Sequence, residues 1–173
     1  MKERMSHSVR SFWIVSLLSF FSFLSAQEIP LNVEFALTHN QRAWGLMQRA
    51  ALPENQGMLF YFPSGSIWMF NTLIDLSVAF LDKEGYVIDL IDLKAYPEMM
   101  DPRRPVRHLA DMKYYPSSDA IYQFFLQRSF AIPLGTRYVL EMNKGWFKKH
   151  QIKEGDQLIW TLGCPKAHMV IHP

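Results

Sequence analysis

The chain has 173 residues, a formal charge of +2 and a single cysteine, Cys164. It is therefore expected to form one domain stabilised by its core, without an internal disulfide. Lys2, Arg4 and Arg10 against Glu3 account for the whole charge excess. The balanced remainder argues against a nucleic-acid footprint and against a polybasic membrane patch.

The first segment reads as a secretory leader. Basic residues precede a run from Phe12 to Leu24 that is apolar but for three serines and carries no charge. That run is shorter than the roughly 20 residues a spanning helix requires. It breaks at Ser25-Ala26-Gln27-Glu28; Ala26 suits the position before a cut, although Leu24 is larger than usual there. Residues 1–26 are assigned as a signal peptide, 27–162 as one β-rich domain and 163–173 as a C-terminal tail. The expected location is periplasmic or secreted, with an uncleaved membrane anchor as the alternative. No membrane insertion is expected once the leader is removed. No cysteine follows the apolar run, which excludes a lipid-anchored lipoprotein.

Leu31, Val33, Phe35 and Leu37 alternate with Asn32, Glu34, Ala36 and Thr38, the period of a half-buried strand. Thr38 then caps a helix with Gln41 as its capping-box partner. Ala43, Leu46, Met47 and Ala50 form its apolar face as far as Ala51, and Pro53 ends it. Gly57 to Phe62 is a near-continuous apolar run, as in a strand covered on both faces. Pro63-Ser64-Gly65 is a turn, and Ile67 to Asn71 a further strand. Leu76 to Leu81 and Tyr86 to Leu93 form a hairpin around Asp82-Lys83-Glu84-Gly85.

Pro97 to Pro116 carries four prolines and reads as a long irregular loop. Ser117 or Ser118 caps a short helix to Gln127 with Ile121, Phe124 and Phe125 on its apolar face. Arg137 to Met142 is a strand, Trp146 to Gln151 a short helix or turn, and Leu158 to Leu162 a final strand after Gly155-Asp156. The fold class is mainly β, an antiparallel barrel or sandwich, with one packed N-terminal helix and an inserted short helix.

Several motifs occur in one order: Arg42-Ala-Trp-Gly45-Leu46-Met47-Gln-Arg49, Gly57-Met58-Leu59-Phe60, Trp68-Met69-Phe70-Asn71-Thr72, Phe80-Leu-Asp82 with Gly85, Arg137-Tyr-Val-Leu-Glu141, and Ile152-Lys-Glu-Gly155-Asp156. This series resembles the bacterial and archaeal domain-of-unknown-function family numbered 192, also called uncharacterised protein family 0127. The resemblance runs from about residue 31 to about residue 162. It implies a compact β-barrel or sandwich with a helix, and no established activity, catalytic residue or cofactor. Two positions depart from the family pattern. Phe70 stands where the family carries a basic residue, and Asp75-Leu76-Ser77 stands where it carries Pro-Leu-Asp. The segment 97–134 is also longer than in the family.

The candidate ligand-binding residues are Arg42, Arg49, Trp68, Asn71, Thr72 and Asp75. Arg42 and Arg49 are two helical turns apart. Either they pair with strand carboxylates such as Asp75 or Asp82, or they grip an anion together. Period two puts Trp68, Phe70 and Thr72 on one strand face and Met69 and Asn71 on the other. The Asn71 amide either ties the next loop to the backbone or orients a ligand against an aromatic wall. Asp82, Asp89 and Asp92 do not have the pattern of a glycosidase pair. Cys164, His168 and His172 are four apart and would align on a helix as metal ligands, or belong to a loose tail. No catalytic residue, metal site or cofactor is assigned.

Three functions remain open. The first is a non-catalytic domain of the cell envelope that binds a small molecule or an envelope protein. The second is an envelope hydrolase acting on a glycan or small ester. The third is partner binding through 97–134.

Overall fold

The computed structural model of the chain describes residues 26–61 and 65–172. The expected leader lies outside the described residues except for Ala26, as do Pro63 and Ser64 of the expected turn. No described helix is long and apolar enough to cross a membrane. In chain order the elements are β1 (Gln27–Ala36), α1 (His39–Trp44), β2 (Gln56–Tyr61), β3 (Ser66–Ile67), β4 (Leu76–Leu81) and β5 (Val87–Leu93). Two short 3-10 turns, Pro97–Met99 and Leu109–Tyr114, precede α2 (Ala120–Leu126) and β6 (Phe130–Ala131). Then come β7 (Tyr138–Asn143), α3 (Trp146–Lys149), β8 (Gln157–Trp160) and β9 (Lys166–Ile171).

The molecule is mainly β. Seven strands form one curled half-barrel in the order β5-β4-β7-β2-β1-β9-β8, and β3 pairs with β6 alone. The two sheet edges approach at one end. There Tyr86 bridges Gln157, and the Val87 N–H donates to the Asp156 carbonyl at 2.8 Å.

The sheet is not wholly antiparallel as expected. Asn32 to Ala36 run parallel to Gln56 to Phe60. The chain between them carries α1 and returns on the same side, the crossover a parallel pair requires. The packed helix expected through Ala51 is also not what forms. α1 has six residues, none of them buried. Gly45 stops it with φ +49°, and a Cβ there would sit 3.3 Å from the Phe60 ring. Leu46 and Met47 still enter the core, but from the turn that follows.

Two apolar clusters cover the sheet. The inner one draws on all seven strands and on Trp146 and Phe147 of α3. The outer one is built on Met58, Phe60, Val78, Phe80 and Val139. Every residue of β4 is buried, because this strand feeds both clusters in alternation.

The segment after Gly163 is no tail. Lys166 to Ile171 form β9, paired antiparallel with both β1 and β8. Ala167 and Met169 are fully buried on its inner side. The buried Asp156 holds the strand's end by accepting the N–H groups of His172 and Lys153, each at 2.8 Å. His168 therefore lies on a strand and not on a helix with Cys164, and among the described residues no group is arranged to hold a metal.

The segment 97–116 is ordered rather than irregular. Arg104 bonds both Asp101 and Asp119 and lies over the Tyr115 ring. Asp119, not a serine, caps α2 by accepting from the N–H groups of Ile121 and Tyr122.

Gly57, within β2, has no room for a side chain. A Cβ there would lie 2.3 Å from the Met142 sulfur and 2.6 Å from the Glu141 carbonyl oxygen. Gly57→Ala is expected to cost about 1–3 kcal/mol, read as a lower midpoint in urea unfolding; an unchanged midpoint would contradict this packing.

Candidate functional site

A cleft of about 340 Å³ opens on the outer face of the sheet, within the size range of small-ligand sites. Its first wall is α1 and the turn after it. The Thr38 side chain accepts from the Gln41 N–H at 3.2 Å, and the Gln41 side chain accepts from the Thr38 N–H at 2.9 Å, which fixes where the helix starts. Arg42, Ala43 and Trp44 then face the cleft, and Gly45 lets Leu46 and Met47 turn inward. The second wall is Trp68, Met69, Phe70 and Thr72. The floor is Phe60, Leu76, Val139 and Glu141, supplied by β2, β4 and β7.

Trp68 to Thr72 is not the strand expected there. Pairing stops at Ile67, and Asn71 turns the chain with φ +54°. Trp68 and Phe70 nonetheless share one side, stacked with ring centroids 5.1 Å apart. Phe70 is wholly buried, edge-on to Tyr115 and Phe125 at 5.3 Å each. Rings from 97–134 thus enclose Phe70. From α2, Phe125 makes this contact, Tyr122 meets Trp68, and Phe124 packs on Tyr96.

Glu141 is the residue sequence reasoning left out. It is 7 % exposed, and its strand neighbours are Met58 on β2 and Val78 on β4. Among the described residues none donates a hydrogen bond to its carboxyl or pairs with it. Burial alone pushes its pKa up to about 8. Burial thus favours its uncharged form at the base of an apolar cleft. The signal was present in the sequence: an acid inside the apolar run Tyr138-Val-Leu-Glu141-Met142, on the same face as Val139.

The six candidate residues divide. Arg42, Trp68 and Thr72 line the cleft. The Arg42 guanidinium donates to the Leu37 carbonyl and pairs with no carboxylate among the described residues. The Thr72 hydroxyl donates to the Phe70 carbonyl at 3.4 Å.

Arg49, Asn71 and Asp75 are engaged elsewhere. Because α1 ends at Trp44, Arg49 shares no helix edge with Arg42; it forks onto both oxygens of Glu34 on β1. That contact holds the Glu34 carboxyl below its ordinary value. Asn71 donates to the Val106 carbonyl at 3.0 Å and accepts from the Gln48 side chain at 2.6 Å, tying 97–134 to the turn after α1. Asp75 accepts from Lys144 and from the Ala95 N–H, each at 2.8 Å, and Lys144 above all holds its pKa down. Asp82 accepts from the Glu84 and Tyr86 N–H groups of its own hairpin. Ser77 donates to Asp92 and accepts from the Gly145 N–H at 2.8 Å.

The family model DUF192, described as Uncharacterized ACR, matches residues 23–160. No curated protein matches. A crystal structure of a protein of unknown function from Novosphingobium aromaticivorans DSM 12444 is similar, at 25% identity and a TM-score of 0.54, over 75% of each chain. A second similar structure, from Sinorhizobium meliloti 1021, is of a protein provisionally assigned as a transcription regulator. It is 23% identical with a TM-score of 0.54, over 78% of this chain and 94% of that one.

The unfolded chain releases the Glu141 proton near pH 4.5, while the folded protein keeps it to about pH 8. Stability is therefore expected to fall as pH rises between those values and to level off above them. Glu141→Gln, which cannot ionise, should flatten that slope and gain on the order of 1–3 kcal/mol at pH 8. Urea unfolding at pH 5 and pH 8 measures both. Parallel pH profiles for the two proteins would show that the carboxyl is not held neutral.

Proposed function

The chain belongs to the DUF192 family, and on that premise we propose that it is an exported accessory domain of the cell envelope that binds a small ligand without transforming it. Glu141 carries the reading. A buried polar group ordinarily has a partner, and one left without costs stability. Here a carboxyl with no partner among the described residues opens onto a cleft walled by Trp44, Trp68 and Phe70, and Arg42 lines the same cleft. Apolar walls with a few placed polar groups are the usual make-up of a small-ligand site. The Thr72 hydroxyl bonds to a backbone carbonyl rather than to a base, which supports binding over nucleophilic turnover. Export rests on the leader sequence at residues 1–26.

Ala43 is half-buried on α1 and lines the cleft, so Ala43→Trp fills the space without opening the core. An aromatic fragment library screened by ligand-observed NMR should yield binders of wild type whose affinity drops about tenfold or more in Ala43→Trp, with the far-ultraviolet circular dichroism unchanged. Binders that ignore the substitution would place the site elsewhere. For export, residues 1–40 fused to a reporter active only outside the cytoplasm should confer activity, and Leu17→Arg in the apolar run should abolish it.

A further inference from the structure

We infer that the cleft selects a zwitterion with an apolar or aromatic body, its ammonium group pairing with Glu141 and its anionic group meeting Arg42. This rests on the cleft being a ligand site and adds the class of ligand.

Each group recognises one part of such a molecule. The Glu141 carboxyl sits among Met58, Val78 and Val139, where no described residue compensates a negative charge. An incoming ammonium supplies that compensation, and the pair replaces a buried unpaired acid with a charge-assisted hydrogen bond. The aromatic rings of the walls add attraction for a cation. A plain amine, however, meets the positive charge of Arg42, which also lines the cleft. Arg42 donates to a backbone carbonyl, which leaves it a net cation with further N–H donors. A carboxylate or other anionic group on the same ligand turns that repulsion into a second contact. An anion without an amine gains Arg42 but leaves the carboxyl unpaired. Among the described residues, His39 also lines the cleft and is exposed.

The test is titration calorimetry of the full exported domain at pH 7 with probes on two frames. The indole frame comprises tryptophan, tryptamine, indole-3-propionate and 3-methylindole. The phenyl frame comprises phenylalanine, phenethylamine, phenylpropionate and toluene. On at least one frame the zwitterion should bind about tenfold or more tighter than either singly charged analogue. Glu141→Gln should bring the zwitterion to the level of the acid, and Arg42→Ala should bring it to the level of the amine. The neutral Glu141 must ionise to pair, so zwitterion binding should release about one proton, seen as a heat that varies with buffer ionisation enthalpy and vanishes in Glu141→Gln. Circular dichroism confirms that both variants are folded. If all four probes on each frame bind alike, or only fragments from the wider library bind, the zwitterion assignment is overturned while the ligand site stands. If no probe and no fragment binds wild type, both are overturned.

Discussion

Strand β7 is covered on both faces, and much else follows from that constraint. It lies between β2 and β4, with Leu140 and Met142 in the inner cluster and Val139 in the outer one. A strand alternates its side chains strictly, so Glu141 must point to the outer cluster with Val139. No shift within the strand relieves it, because a one-residue slip would carry Leu140 and Met142 out of the inner core. The acid is thus imposed on an apolar environment by the pairing of its neighbours, and the cleft is the space that opens over it.

The crossover from β1 to β2 builds the wall above that acid. Parallel pairing obliges the chain to pass over the outer face, where the short α1 and the turn at Gly45 lie. Arg49 bound to Glu34 pins the return to β1, and Asn71 bound to Gln48 and Val106 pins it to the opposite wall. The polar residues beside the cleft are therefore frame members. Arg42 differs, having no carboxylate partner among the described residues while lining the open space.

The segment 97–134 packs behind the second wall. Phe70 brings a ring to this wall, and Tyr115 and Phe125 enclose it. The Arg104 bridge between Asp101 and Asp119 orders the segment that delivers Tyr115.

Features set by neighbours in the chain were legible from residue order alone. The alternation Leu31-Val33-Phe35, the Thr38–Gln41 capping box, the Asp82–Gly85 hairpin and the core strands that begin near Gly57 and at Leu76 all depend on contacts within a few residues and form as read, although the alternation stops before Leu37, which is exposed while Ala36 is buried. The Lys166-Ala-His-Met alternation is equally local and forms β9. Only the tertiary structure decided the parallel register of β1 and β2, the early stop of α1 against Phe60, and the isolation of Glu141. Those depend on which surfaces meet across long stretches of chain, and burial, unlike a turn or a cap, is a property of the partners that come together rather than of the residues in sequence.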